Sequence, residues 1–128
     1  MKTPKILHYD DEKVIRELYG EDIEKEGWDY AFYQSPKNVI KDIKKEKPDV
    51  VLLDIRLGEY DGLEILQDIR EKYYNLPVIL LSVYSSFKRD LKSIQADHYV
   101  LKNDDFSELK TKIKMCLENS VWDPNSLE

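Results

Sequence analysis

Four short apolar runs in this chain end on residues that can do chemistry. Residues 6–9 are followed by Asp10-Asp11-Glu12, residues 50–53 by Asp54, residues 78–81 by Ser82, and residues 99–101 by Lys102. Read as strands of an open parallel sheet, these runs bring their carboxyl ends to the edge where ligands bind, at the point where the winding reverses. The first and third strands are neighbours in the commonest five-stranded winding, so Asp10, Asp11 and Asp54 converge. Three carboxylates at close range repel, and at least one has a raised pKa unless a cation compensates them. With oxygen donors and neither His nor Cys in the set, the cation expected is Mg²⁺ rather than zinc. A lysine and a hydroxyl across the cluster can bind phosphoryl oxygens. With both in place, one carboxylate can act as a nucleophile and form an aspartyl phosphate. Asp54 suits that role because it stands alone at its strand end, whereas Asp10 and Asp11 adjoin and can share the metal.

The elements that must hold these groups follow from the spacing of apolar residues. Strands are expected at residues 6–9, 30–33, 50–53, 78–81 and 99–101, the third and fourth apolar on both faces as buried parallel strands are. Helical spacing separates them. It runs through Val14, Leu18, Tyr19 and Ile23, then Val39, Ile40 and Ile43, then Leu63, Leu66, Ile69 and Tyr73. It returns at Phe87, Leu91 and Ile94, and at Phe106, Leu109, Ile113, Cys116 and Leu117. Ser35-Pro36 reads as a capping hydroxyl before a first-turn proline. Asp61 with Glu64, and Asp105 with Glu108, have capping-box spacing. Five strand–helix units predict a doubly wound α/β fold, a (βα)5 parallel sheet with helices on both faces.

The composition fits one domain. The chain has 128 residues, with 20 Lys plus Arg against 26 Asp plus Glu, a formal charge of −6. That length encloses a single core. The acidic balance argues against direct nucleic-acid binding, which needs a phosphate-neutralising surface. Four-residue apolar runs are far too short to cross a membrane. A lone Cys116 makes no internal disulfide, so a reducing, cytoplasmic setting is expected. Residues 1–119 read as the domain and residues 120–128 as a frayed tail or linker.

Taken in order, the motifs are Ile6-Leu7-His8-Tyr9-Asp10-Asp11-Glu12, Asp49-Val50-Val51-Leu52-Leu53-Asp54, Asp61-Gly62-Leu63-Glu64, Pro77-Val78-Ile79-Leu80-Leu81-Ser82 and Tyr99-Val100-Leu101-Lys102. Over about residues 4–118 the chain resembles the receiver domain of two-component response regulators. The resemblance implies a flavodoxin-like sheet with strand order 2-1-3-4-5. It implies Asp54 as phospho-acceptor and Asp11, Asp10 (mainly through water) and Asp54 around Mg²⁺, with the backbone carbonyl of Arg56 as a further metal ligand. It also implies Ser82 and Lys102 on the phosphoryl oxygens, and Ser82 and Tyr99 as the switching pair. The implied donor is a phosphohistidine on a sensor histidine kinase or phosphotransfer protein, docked on the first helix near Val14, Ile15 and Leu18. The implied output face is the fourth helix, fifth strand and fifth helix, including Lys88, Arg89, Lys92, His98, Tyr99 and Lys110, and a homodimer through that face is one expected assembly. Such a chain is a signalling module, not an enzyme with a released product.

Four departures from the family pattern stand out. Asn103 follows the lysine where a cis-proline is usual, predicting either a trans bond with a shifted lysine loop or a strained one. Val83 replaces a small residue after the hydroxyl. Gly58 replaces a proline, predicting a more mobile loop after the acceptor. Arg56 and Tyr84 are large residues able to cover the site. Val83, Arg56 and Tyr84 together predict a slow-cycling phosphoaspartate; Asn103 and Val83 favour the alternative, a degenerate receiver that binds partners without phosphorylation.

Plainer roles compete at several positions. Asp10 and Asp11 suit the N-terminus of the first helix. Tyr99 suits core packing. His8 is expected to be packed, His98 exposed, Cys116 in the core, and Lys44, Lys45 and Lys47 solvated. Enzymes of the same winding fit worse. A flavin site would place its phosphate against Asp10-Asp11-Glu12, no Gly-x-x-x-x-Gly-Lys loop is present, and position 12 is Glu where an aspartate-based phosphohydrolase needs Asp.

Overall fold

The computed structural model describes residues 2–83, 96–103 and 105–127. The fourth helical pattern (Phe87, Leu91, Ile94), with Tyr84, Lys88, Arg89 and Lys92, lies outside the described residues. In chain order the elements are β1 (Lys5–Tyr9), α1 (Lys13–Lys25), β2 (Asp29–Tyr33), α2 (Val39–Glu46), β3 (Val50–Asp54), β4 (Arg56–Leu57), β5 (Tyr60–Asp61), α3 (Gly62–Lys72), β6 (Val78–Ser82), β7 (His98–Leu101) and α4 (Ser107–Asn119).

β1, β2, β3, β6 and β7 form one parallel sheet in the order β2-β1-β3-β6-β7. This is the order 2-1-3-4-5 expected of the five main strands. The chain leaves β1 for β2 on one side and returns to β3 on the other, so the winding reverses between β1 and β3.

Period-two alternation divides the buried residues between two faces. Leu7, Tyr9, Val51, Leu53, Val78 and Leu80 meet Val39 and Ile43 of α2 and Ile65, Leu66 and Ile69 of α3. Ile6, Val50, Leu52, Ile79, Leu81 and Val100 meet Tyr19 and Ile23 of α1 and Leu109, Ile113 and Cys116 of α4. Each such aliphatic side chain contributes about 1.5–3 kcal/mol on leaving water. All residues of β3 and β6 are buried, as their unbroken apolar sequences require. Among the described residues no helix is long and apolar enough to cross a membrane.

One helix start follows the sequence as read and two do not. Asp61 caps α3, its Oδ1 accepting from Leu63 N at 2.9 Å. At α4 the N-cap position falls on Phe106, which has no capping side chain, and Asp105, one residue earlier, accepts from Ser107 N through Oδ1 at 2.9 Å. Ser35-Pro36 does not begin α2. Ser35 Oγ accepts from Lys37 N at 3.2 Å and Val39 N donates to Pro36 O, which closes a turn before the helix starts at Val39.

The expected frayed end is instead folded back. Residues 124–126 form a 3₁₀ turn, and Asp123 Oδ1 accepts from Asn125 N at its start. Leu127 is buried in the α2–α3 face of the core. The Trp122 indole N–H donates to Pro48 O at 2.9 Å, and its ring packs edge-on against Tyr73.

Candidate functional site

The strand ends place the site. Tyr9 is paired with Leu53, so the next residues, Asp10 and Asp54, emerge side by side. Asp10 continues the β1 face of Ile6, and Asp54 the β3 face of Val50 and Leu52, so both lie on the α1–α4 side. Ser82 is paired with Leu101, and Lys102 N donates to Ser82 O at 2.8 Å, bringing the lysine in beside the hydroxyl.

Lys102 Nζ sits at the centre of the acids. It lies 2.8 Å from Asp54 Oδ2, 2.9 Å from Asp10 Oδ2 and 2.9 Å from Glu12 Oε1. Asp10 is fully buried, and Asp54 and Ser82 nearly so. Oxygens of Asp10, Asp11, Glu12 and Asp54 lie within 4.8 Å of one another. Backbone donors fix them further: Glu12 N to Asp10 Oδ1 at 2.9 Å, Arg56 N to Asp54 Oδ1 at 3.1 Å, and Gly58 N to Asp11 Oδ2 at 3.0 Å. The side chains of Asp10 and Asp11 thus bind loop N–H groups rather than the first turn of α1, against the helix-capping reading.

Gly58 has a positive φ of 59° and occupies the first central position of the tight β4–β5 hairpin, where a positive φ is required. The loop expected to be mobile is therefore a two-residue hairpin tied to Asp11. No cis peptide occurs among the described residues. The Lys102–Asn103 bond is trans, the first of the two expected alternatives rather than the strained one, and the lysine reaches Asp54.

Burial raises the Asp54 carboxyl to about 6; Lys102 opposes the rise and the Asp10 charge adds to it. Asp10 moves the other way: burial would raise it, but His8, the Glu12 N–H and Lys102 outweigh that and hold it low. Burial would lower Lys102, but Asp54, Glu12 and Asp10 hold it above the ordinary lysine value and therefore charged. Asp54 is the carboxylate with most to gain from a further cation. The donors are hard oxygens, and the adjoining cavity of about 370 Å³ is lined by Asp11, Glu12, Asp54, Arg56, Gly58, Ser82, Val83 and Lys102. Oxygen donors at an open pocket fit Mg²⁺, which keeps several waters.

Tyr99 is half-buried against the α2–α3 face of the core. Cys116 is buried and Lys44, Lys45 and Lys47 are exposed, as expected, but His98 is half-buried rather than exposed. Sequence reasoning left Glu12 without a role, yet it is the third acid on Lys102. His8 is packed as expected, but it also faces Asp10, with Nε2 3.6 Å from Oδ2. Arg16 donates to the Asp10 carbonyl at 2.7 Å. One signal was available: His8 and Asp10 are two apart on a strand and share a face.

The response regulator receiver domain family model matches residues 6–114. The response regulator TrrA of Thermotoga maritima, crystallised in complex with Mg²⁺-BeF, superposes with a TM-score of 0.84 at 38% identity, covering 90% of this chain and 100% of that one. TrrA in complex with the histidine kinase ThkA gives 0.81 at 37% identity, covering 90% and 99%. The BeF3-activated N-terminal receiver domain of Klebsiella pneumoniae RstA gives 0.82 at 26%, covering 90% and 99%. Sequence match, sheet order and the acid–lysine site at the strand ends agree, and the chain belongs to the response regulator receiver domain family.

Proposed function

We propose that this receiver accepts a phosphoryl group on Asp54 from a phosphohistidine donor and thereby switches a protein-binding face. The observation that carries the proposal is the triangle of Lys102 Nζ with Asp54 Oδ2 and Asp10 Oδ2 at 2.8 and 2.9 Å, beside an open pocket. An Asp54 carboxylate oxygen attacks phosphorus. The P–N bond of the donor breaks as the P–O bond forms, and its electron pair returns to the donor imidazole. Lys102 and the Ser82 hydroxyl take the phosphoryl oxygens. Asp10, Asp11, Asp54 and the Arg56 carbonyl would hold Mg²⁺, which supplies charge neutralisation when bound.

The partner class follows from the relatives, one of which was crystallised with a histidine kinase. α1 offers the docking side, and Val14 there is 72% exposed. His98, Tyr99 and Lys110 belong to the proposed output face, through which a homodimer would also form. We place the protein in the cytoplasm, without direct nucleic-acid binding by this domain. Val83, 61% exposed on the pocket rim, and Arg56 beside it support a long-lived phosphoaspartate with slow autodephosphorylation.

The test is incubation with acetyl phosphate and Mg²⁺, followed by intact-protein mass spectrometry. A gain of one phosphoryl group that is absent in Asp54→Asn is expected. No gain, with acetyl phosphate or with a phosphohistidine donor, would overturn the proposal in favour of a phosphorylation-independent interaction domain.

A further inference from the structure

Two buried polar atoms face each other behind the site: His8 Nε2, which has no hydrogen-bond partner, and Asp10 Oδ2, which Lys102 Nζ meets from the other side at 2.9 Å. They are 3.6 Å apart and both side chains are fully buried. That separation is long for a hydrogen bond but short for an oriented dipole against a charge. The other ring nitrogen, Nδ1, lies 2.7 Å from the Tyr30 hydroxyl. Tyr30 Oη is also 3.2 Å from Arg16 O, which can only accept. His8 stacks on Tyr19 at a centroid distance of 5.9 Å, which fixes the ring plane from the α1 side.

The phenol has one proton and two acceptors to choose between. If it goes to Arg16 O, Nδ1 must carry the imidazole proton and donate to Tyr30. A bare Nε2 lone pair then points at the buried Asp10 carboxylate, an arrangement of two facing acceptors that costs both groups. If the phenol proton goes to Nδ1, the shorter of its two contacts, Nε2 carries the proton and points it at Asp10 Oδ2. This arrangement leaves no buried lone pair facing another.

We infer that His8, held in its Nε2–H form by Tyr30, is the positioning residue of Asp10. It stands behind the carboxylate on the side away from the pocket. Asp10 Oδ1 is held by Glu12 N and Oδ2 by the His8 dipole and Lys102. The carboxylate cannot turn about its Cβ–Cγ bond without losing both supports. His8 therefore keeps Asp10 oriented for a cation that Asp10 shares with Asp11 and Asp54. The inference rests on the Mg²⁺ reading above.

The experiment has one arm without metal and one with it. In metal-free protein, ¹⁵N-detected NMR of the imidazole is expected to show Nε2 protonated and Nδ1 bare, and Tyr30→Phe to populate the Nδ1–H form. In the second arm, Mg²⁺ affinity is measured by calorimetry for wild type, His8→Val, His8→Gln and Tyr30→Phe. Removing such a support typically weakens a metal site on the order of tenfold. His8→Val is expected to show that loss, and His8→Gln, whose amide N–H can take the place of Nε2–H, to recover most of it. A wild-type Nδ1–H form, or wild-type affinity in His8→Val, overturns the inference. Wild-type protein that binds no Mg²⁺ overturns the functional reading instead. Should His8→Val not fold, Tyr30→Phe keeps the ring and the packing, and unchanged affinity and tautomer there overturn the inference equally.

Discussion

Lys102 Nζ lies 2.8 Å from Asp54 Oδ2 across a trans peptide to Asn103. The lysine backbone is already set by its bond to Ser82 O in the continuing β6–β7 ladder. Asn103 adds local support of its own, its Oδ1 accepting from Asp105 N at 2.7 Å and its backbone meeting the Tyr19 hydroxyl. Asn103 thus supports the loop through its own hydrogen bonds while the lysine charge sits on Asp54.

That charge also holds the metal-free fold together. The Lys102 side chain is 4% exposed and compensates two buried carboxylates. Lys102→Met keeps the stem packing and removes the cation, leaving Asp10 and Asp54 facing each other. A loss of about 3 kcal/mol is expected in urea unfolding without Mg²⁺. Adding Asp54→Asn should restore part of it, because one of the two stranded charges is gone. Lys102→Met should also slow labelling by acetyl phosphate on the order of 10²-fold.

The raised Asp54 carboxyl gives a pH signature whose sign is fixed. Its folded value of about 6 lies above its unfolded value, so between roughly pH 4 and pH 6 the folded state binds more protons. Metal-free stability therefore falls as pH rises through that window. Asp54→Asn removes the penalty, so it should exceed wild type at pH 7 and match it at pH 4. Mg²⁺ affinity should drop below pH 6, as the proton competes for the same oxygens. Thermal midpoints and calorimetry across pH 4–8 check both.

Two glycines near the site should respond differently to alanine. At Gly58 a Cβ has room, with Asp11 Oδ2 at 3.9 Å, but the φ of 59° costs a side chain about 1 kcal/mol. At Gly62 a Cβ would collide with Asp54 O and reach within 2.7 Å of Ile55 Cα. Both obstacles are backbone, and Gly62 N already donates to Ile55 O at 2.6 Å. Gly62→Ala should cost about 3 kcal/mol and displace the acceptor itself. Unfolding and acetyl-phosphate labelling together separate the cases: Gly58→Ala labels near the wild-type rate and Gly62→Ala does not.

Val83 follows the Ser82 hydroxyl on the pocket rim. A branched side chain there narrows the approach of water to phosphorus on Asp54. Val83→Ala should shorten the life of the phosphoaspartate, measured as loss of label after removal of donor. An unchanged rate would mean that the rim does not control hydrolysis.

The sheet and the acid–lysine core of the site were legible because each depends on short-range pattern. Residues 50–53 and 78–81 are short β-branched-rich runs, apolar on both faces, as a buried parallel strand is, and a charged or hydroxyl residue directly after such a run sits at the strand end. Glu12 was not legible as a partner of Lys102, since its reach depends on where α1 begins. The Tyr30–His8 contact was hidden because it depends on the β1–β2 register, in which His8 pairs with Phe32. Ser35-Pro36 misled because a hydroxyl before proline suits a turn as well as a helix start.

The tail misled for a related reason: Trp122 and Leu127 carry no periodicity. Their fit depends on a single acceptor, Pro48 O, and on space beside Tyr73. If residues 120–127 belong to the core, Leu127→Ala should cost about 2 kcal/mol, as for a buried leucine. Trp122→Phe keeps the ring but loses the indole donor, and should cost about 1 kcal/mol. Ending the chain at Asn119 removes both contacts and uncovers Tyr73, so its loss should exceed either single change. Urea unfolding of the three variants decides the point: a linker predicts one shared midpoint, and a docked segment predicts three midpoints ordered Trp122→Phe, Leu127→Ala, truncation, from most to least stable.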